Sequence, residues 1–301
     1  MIYDCIIIGG GIAGLQAAIQ LGRYKHRVII IDSNHGRSTL CRSYHNVLGY
    51  PDGISGQELR NIGTKQAKSL EVEFLIDKAV KVDKNKDHFE ILTGMDDIIL
   101  GKCLLIATGV MDRIPHIPNL FSCLGKSVYI CPDCDGYEIK DKPALVIGSG
   151  NVGANMALIL TYWTKDLIYI NHEQKKIKDD LMNKLNNQHI QYIESPVKEV
   201  IVEGSQLKSL ILTNGQKIVR EHAFVAFGGN EVRSDLAKQL GVEMLENKHI
   251  VVNPRTKMTN VTGVWAAGDV VAHSEQVTIA MGDGSQSAIW IHKSLMGEEI
   301  D

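Results

Sequence analysis

The sequence predicts an α/β fold made of two Rossmann-like, three-layer dinucleotide-binding domains, the second inserted in the first. The main observation is that a strand, a glycine-rich turn and a helix follow one another near residue 9 and again near residue 148. A second observation is the length of 301 residues, which suits about two domains of roughly 150 residues each. The repeat therefore indicates an internal duplication at the scale of a domain.

The first copy consists of a strand over Tyr3–Ile8, a turn over Gly9–Gly14, a helix over Leu15–Leu21 and a strand over Val28–Asp32. A Gly-x-Gly-x-x-Gly turn lets backbone amides and a helix N-terminus approach a pyrophosphate, because side chains there would block the approach. Asp32 follows the last glycine by 18 residues, where a carboxylate can accept hydrogen bonds from ribose hydroxyls. The predicted cofactor contacts of this copy are Gly9, Gly11, Ile12, Ala13, Gly14 and Asp32.

The second copy repeats the pattern with strands over Ala144–Ile147 and Leu167–Ile170 and an apolar helix over Ala154–Leu160. At the place of the first copy's aspartate it has Asn171, followed by His172 and Glu173. Its nucleotide contacts must therefore differ, and a duplicated domain can also keep its fold after losing its ligand. The predicted contacts of this copy are Gly148, Gly150, Asn151, Val152, Gly153 and Glu173.

Proline-marked segments at residues 113–118 and after residue 230 predict the crossings between the domains. We therefore expect a first domain of residues 1–117 and 242–301, and a second domain of residues 118–241. A helix is predicted from about Ser55 to Ser69, opened by a capping box, and a final helix from about Val277 to Leu295.

Charge and composition name no macromolecular partner. The formal net charge is −3, and no run of five like charges could form a nucleic-acid or membrane patch. The apolar start, Met1–Ile8, is too short for a signal peptide, and no segment has the roughly 18 uninterrupted apolar residues of a membrane helix. Six cysteines, four of them alone in the sequence, favour a reducing cytoplasm over a disulfide scaffold.

The remaining two cysteines, Cys131 and Cys134, form a Cys-Pro-Asp-Cys pair whose spacing lets the sulfurs join in a small, reducible ring. Asp135 is placed to move a proton as thiolate and thiol interchange. A zinc site would need two more ligands, and no second Cys-x-x-Cys or spaced histidine pair lies beside this one. We predict a redox pair and no metal site.

The order of these motifs resembles the low-molecular-weight thioredoxin reductase family of FAD enzymes, over essentially the whole chain. The motifs that carry the resemblance are Gly9–Gly14, Ala107-Thr108-Gly109, Cys131–Gly136, Gly148–Gly153 and Ala266-Ala267-Gly268-Asp269. The resemblance implies that the first domain binds FAD, with Asp32 at the adenosine ribose and Asp269 near the ribitol and pyrophosphate. Further FAD contacts are then expected at Ala107, Thr108, Gly109, Gly268, Gln276 and Val277. His45 and Asn46 are also placed in this group, although a single histidine is more often a packing residue.

By the same resemblance, Cys134 is the sulfur next to the flavin, Cys131 attacks the substrate, and Asp135 is the general acid. Electrons would pass from NAD(P)H through FAD to the cysteine disulfide, and then to a thioredoxin-like protein or a small disulfide. The resemblance also implies a homodimer.

One stretch departs from the family pattern. Relatives that use NADPH carry a His-Arg-Arg run whose arginines hold the 2′-phosphate, whereas this chain has residues 171–176, Asn-His-Glu-Gln-Lys-Lys. Losing two charge-assisted contacts would cost roughly 3–6 kcal/mol of NADPH preference. Lys175, Lys176 or Lys178 could recover part of it, and Glu173 could instead accept from an NADH ribose. NADPH, NADH or no nicotinamide are all left open.

Three alternatives remain at this point. Dithiol oxidases share the architecture and resemble residues 44–49, but usually have histidine after the second cysteine, where this chain has Asp135. A second alternative is a disulfide reductase fed by ferredoxin or another redox protein. The third is a non-catalytic nucleotide sensor, which would have no need of Cys131 and Cys134.

Overall fold

The computed structural model describes residues 1–298. Its helices are α1 (Ile12–Arg23), α2 (Arg37–Leu40), α3 (Gly56–Lys68), α4 (Pro132–Asp135), α5 (Gly150–Leu160), α6 (Asp179–Asn187), α7 (Asp235–Gln239) and α8 (Val277–Leu295). Its strands are β1 (Ile2–Ile8), β2 (Val28–Ile31), β3 (Glu73–Leu75), β4 (Ala79–Lys84), β5 (Phe89–Thr93), β6 (Ile98–Ile106), β7 (Val110–Met111), β8 (Val128–Tyr129), β9 (Ala144–Gly148), β10 (Leu167–Asn171), β11 (Gln191–Ile193), β12 (Val197–Glu203), β13 (Gln206–Leu212), β14 (Lys217–Val219), β15 (His222–Ala226), β16 (Glu231–Val232) and β17 (Val264–Ala266). Within residues 1–298, no helix has the length and apolar character needed to cross a membrane.

The chain divides into two compact units. Among the described residues, the first comprises 1–39, 56–111 and 231–298, and the second comprises 40–55 and 112–230. The second unit is thus inserted in the first, as the sequence predicts. Three stretches fall on the other side of the expected boundaries. Residues 112–117 belong to the second unit, where Ile114 and Ile117 pack in its core. Residues 231–241 belong to the first unit because Leu236 and Ala237 of α7 pack in its core. Residues 40–55 belong to the second, where Tyr44 and Ile54 bridge each other and Leu40 packs.

The first unit is built on a seven-stranded sheet in the order β3-β2-β1-β6-β5-β4, with β17 also paired to β6. Strands β1, β2, β3, β6 and β17 run parallel, and β4 and β5 add an antiparallel edge. Side chains of β1 alternate between the two faces of the sheet. Ile6 and Ile8 pack in one hydrophobic core, and Cys5 and Ile7 pack in the other. Both faces of the central strands are covered, as expected for a parallel sheet.

Helices α1 and α8 pack closely over one face of that sheet. A Cβ built on Gly284 of α8 would lie 2.3 Å from the carbonyl oxygen of Ala13, so only glycine allows this approach. Small residues of α1, Ala17 and Ala18, are fully buried at the same contact. This packing fixes the N-terminus of α1 against the C-terminal segment of the chain.

The second unit contains a parallel five-stranded sheet in the order β11-β10-β9-β15-β8. Helices α5 and α6 share one core with it, and a three-stranded antiparallel sheet, β12-β13-β14, shares the other. The predicted α/β class is confirmed: each unit contains a sheet whose central strands are parallel and whose two faces are covered.

Candidate redox and nucleotide sites

The first glycine turn combines two glycines that packing requires with one that leaves space. A Cβ on Gly9 would lie 2.3 Å from the Ala107 carbonyl oxygen, and one on Gly14 would lie 1.9 Å from the Gly9 carbonyl oxygen. A Cβ on Gly11, by contrast, would meet nothing within 4 Å in the described chain apart from its own neighbours. The turn is therefore tightly built and open at its second glycine, which is the arrangement that lets a pyrophosphate approach the backbone.

Asp32 lies beside this turn and is held by a buried arginine. A Cβ on Gly10 would be 2.9 Å from the Asp32 carboxyl carbon. Arg60 of α3, only 6% exposed, donates to Asp32 Oδ2 at 2.7 Å and to Asn34 Oδ1 at 3.0 Å. Its Nε has no hydrogen-bond partner among residues 1–298. Sequence reasoning missed Arg60, since nothing in the local pattern of α3 distinguishes it from a surface arginine.

Gly268 is tied to a buried charge network on α8. Its amide donates to Asp283 Oδ2 at 3.1 Å, and Asp283, 4% exposed, also meets Lys257 Nζ at 2.9 Å and His273 Nε2 at 2.5 Å. Burial opposes ionisation of Asp283, but the hydrogen bonds from His273 and Lys257 outweigh it and lower the pKa of that carboxyl. The same carboxylate raises the pKa of His273. Asp283 therefore holds the turn at Gly268 as an ionised group.

Asp269 lies next to that turn and is neutralised by a cation of the first unit. Arg37 Nη1 donates to Asp269 Oδ2 at 2.9 Å and to Glu275 Oε2 at 2.5 Å. Gln276 follows directly as the residue before α8, and Val277 opens the helix. The two ion pairs of Arg37 thus join Asp269 to Glu275, the residue before Gln276. Arg37 was not predicted, because 232 positions separate it from Asp269; Glu275 was not predicted, because only its shared contact with Arg37 links it to Asp269.

The cysteine pair lies in the second unit, with Cys131 just before α4 and Cys134 within it. Both are free, partly buried thiols. The hydrogen bond from the Cys134 thiol lowers the pKa of Cys131, whereas that same bond and burial raise the pKa of Cys134 strongly. The two sulfurs are therefore chemically unequal: Cys131 loses its proton more readily than Cys134.

The predicted acid Asp135 has a histidine beside it. His45 Nδ1 lies 3.9 Å from Asp135 Oδ1 and 3.8 Å from Glu138 Oε1. The interaction with Asp135 raises the pKa of His45, against the opposing effect of burial. The structure thus places His45 with the residues of the cysteine pair. The contacts of His45 and of the exposed Asn46 with FAD stay predictions.

The second glycine turn joins β9 to α5, and its residues are engaged with the chain itself. The Gly150 amide donates to Asn171 Oδ1 at 3.0 Å, and Asn171 is fully buried. Glu173 accepts from Arg113 Nη1 at 2.6 Å and from Nη2 at 3.0 Å, and pairs with Lys175 Nζ at 2.9 Å. The ion pair with Arg113 holds the pKa of Glu173 far below its ordinary value. Sequence reasoning missed Arg113, which is distant in the chain.

Comparison with known proteins shows similarity over the whole chain. The profile of the family described as pyridine nucleotide-disulphide oxidoreductase matches residues 3–284. A thioredoxin reductase of Aquifex aeolicus is 31% identical, over 99% of this chain and 95% of that protein. One of Rickettsia felis is 29% identical, over 96% of this chain and 97% of its own. The crystal structure of thioredoxin reductase from Streptococcus pyogenes superposes with a TM-score of 0.86 at 26% identity, covering 98% of this chain and 99% of that one.

Proposed function

The chain belongs to the pyridine nucleotide-disulphide oxidoreductase family, and we propose that it reduces the disulfide of a thioredoxin-like protein or small molecule with electrons from NAD(P)H. Membership confirms the predicted enzyme class, an FAD-dependent disulfide oxidoreductase similar to thioredoxin reductases, and the predicted pair of Rossmann-like domains. The curated relatives named above are thioredoxin reductases, and this supports a thioredoxin-like substrate here.

The first unit fits FAD. Gly11 is open where a pyrophosphate would approach, and Asp32 is oriented by Arg60, whose Nε still lacks a partner among residues 1–298. FAD, when bound, supplies two-electron transfer between a nicotinamide and a disulfide. The residues that we propose hold it are Gly9, Gly11, Ile12, Ala13, Gly14, Asp32, His45, Asn46, Ala107, Thr108, Gly109, Gly268, Asp269, Gln276 and Val277.

The unequal cysteines carry the proposal for the chemistry. With its lowered pKa, the Cys131 thiolate attacks one sulfur of the substrate disulfide and forms a mixed disulfide, while the other substrate sulfur leaves and takes a proton. Cys134 then gives up its proton and attacks Cys131, which closes the Cys131–Cys134 disulfide and releases the substrate's second sulfur as a thiol. The substrate gains two electrons and two protons. We assign Asp135, with His45 beside it, to the proton transfers.

The test of this proposal is replacement of Cys134 by serine. The variant should keep its flavin and lose turnover of a thioredoxin disulfide with NADH and with NADPH. Cys41→Ser is the matched control, since burial raises the pKa of Cys41 to about 12 and the thiol is inert. Turnover retained by the Cys134 variant would refute the assignment. Oxygen uptake driven by a dithiol without nicotinamide would instead indicate an oxidase, and reduction by ferredoxin alone a ferredoxin-fed reductase.

We further propose that the protein works as a homodimer in the cytoplasm, without nucleic-acid or membrane partners. The support is the family resemblance for the dimer, and for the rest the near balance of charge and the six cysteines, four of which stand alone in the sequence. Light scattering and cell fractionation test these two points directly.

A further inference from the structure

The two glycine turns differ at their second glycine, which is the one that must leave room for a pyrophosphate. In the first turn that glycine is Gly11, and a Cβ there would meet nothing within 4 Å in residues 1–298 apart from its neighbours. In the second turn it is Gly150, where a Cβ would lie 3.0 Å from Lys175 Cβ and 3.3 Å from the Lys176 carbonyl oxygen. The second turn is covered by the chain's own backbone.

The covering segment is residues 172–178, which we call the strap. It is tied at both ends: the His172 amide donates to the Gly148 carbonyl at 2.9 Å, and the Lys178 amide donates to Asn151 Oδ1 at 2.9 Å. In its middle, Asn171 Nδ2 donates to the Lys175 carbonyl at 2.8 Å. Asn171 Oδ1 also accepts a hydrogen bond from the Gly150 amide. This amide, which would otherwise face a phosphate, therefore already has an acceptor.

Glu173 of the strap supplies an internal anion at this turn. Its carboxylate accepts from Arg113 and pairs with Lys175, and an interaction with Ser149, the residue that precedes α5, also lowers the pKa of Glu173. Arg113 is fixed in turn, because it donates to the carbonyls of Phe227 at 2.9 Å and Gly228 at 2.8 Å. The N-terminus of a helix stabilises a nearby negative charge, and at this turn the Glu173 carboxylate supplies that charge.

We propose that the Glu173–Arg113 ion pair latches the strap over the second glycine turn, and that Glu173 is the residue that disfavours NADPH. This inference rests on the proposed function, since the turn is the nicotinamide site of that reaction. A dinucleotide must displace the strap to reach the turn. NADPH must also place its negatively charged 2′-phosphate beside the Glu173 carboxylate, which repels it. Once Glu173 loses its charge, Arg113 and Lys175 are left as cations that a 2′-phosphate can bind.

The experiment measures binding of NAD⁺ and NADP⁺ to the FAD-loaded protein by calorimetry, because oxidised nucleotides bind without reducing it. Glu173→Gln keeps the side-chain size and removes the charge. We expect it to bind NADP⁺ at least tenfold more tightly than the wild type, with a smaller gain for NAD⁺. The double variant Glu173→Gln with Arg113→Gln should lose the preference for NADP⁺, since the cation is gone.

Glu221→Gln is the matched control, because it removes the carboxylate of another ion pair of the second unit, with Lys208, at the opposite end of β15. It should change neither affinity by more than twofold. An unchanged ratio of NADP⁺ to NAD⁺ affinity in Glu173→Gln overturns the inference, as does a ratio that the double variant retains. The measurement needs no turnover, so failure of the Cys134 test would leave its result standing.

Discussion

Replacing Asp283 with asparagine removes one charge from the buried network that holds Gly268. Breaking a buried ion pair by removing one partner costs about 3–5 kcal/mol. The side chains of His273 and Lys257 are 23% and 13% exposed, so water reaches the network and we take the lower end, about 3 kcal/mol. For a unit of this size each kcal/mol lowers Tm by about 2–4 °C. We therefore expect the first unit to unfold about 6–12 °C lower.

The pH dependence of this difference follows from the two pKa shifts. His273 has a raised pKa, so its stabilisation is complete below the ordinary value of 6.5 and is lost as pH rises through the folded pKa. Asp283 has a lowered pKa, so its stabilisation is complete above 3.8 and is lost as pH falls through the folded pKa. The difference in unfolding temperature between wild type and Asp283→Asn should be largest near pH 6 and should decrease at lower and at higher pH.

The assay is thermal unfolding followed by circular dichroism at several pH values, with flavin content checked in each sample. Asp83→Asn is the matched control, because Asp83 pairs with Lys81 on the exposed surface, with both side chains more than half exposed. It should unfold with the wild type. If Asp283→Asn unfolds within 2 °C of the wild type at pH 6, the network does not stabilise the first unit, and the reasoning fails.

Three further predictions concern the sites. Cys134→Ala removes the donor that lowers the pKa of Cys131, so the pH profile of Cys131 alkylation should move to higher pH; an unmoved profile would contradict the assignment. Gly11→Val should fold normally, since its Cβ has space, yet purify with little FAD; a fully yellow variant would show that the pyrophosphate does not approach there. His45→Gln removes a group whose pKa is raised by Asp135, so the pH profile of disulfide turnover should change in shape; an identical profile would separate His45 from the proton transfers.

The parts predicted from the sequence are those that depend on close backbone contacts within a short stretch. Gly9 and Gly14 are required because their neighbours lie too close for any side chain, and such a requirement leaves a regular spacing in the sequence. The final helix, Val277–Leu295, was predicted with the same ends, because a continuous 19-residue helix carries a long apolar pattern. The Cys131–Cys134 pair is likewise local.

The parts that could not be predicted depend on contacts between distant residues. Arg60 on α3 reaches Asp32, the residue after β2, across 28 positions, and Arg113 reaches Glu173 across 60 positions. Each is one charged residue in an ordinary context, so no periodicity marks it. The sequence shows that the family's arginine run is absent. It does not show that Arg113 lies beside Glu173.

Insertion of the second unit in the first determines the order in which the two can be completed during synthesis. Every residue of the second unit has left the ribosome's active centre once residue 230 is joined. The first unit, however, still awaits β17, which pairs with β6, and α8, which packs on α1. The second unit can therefore form early, whereas the first unit is complete only when the C-terminal helix emerges. The FAD site that we propose in the first unit is therefore complete only after α8 has been made.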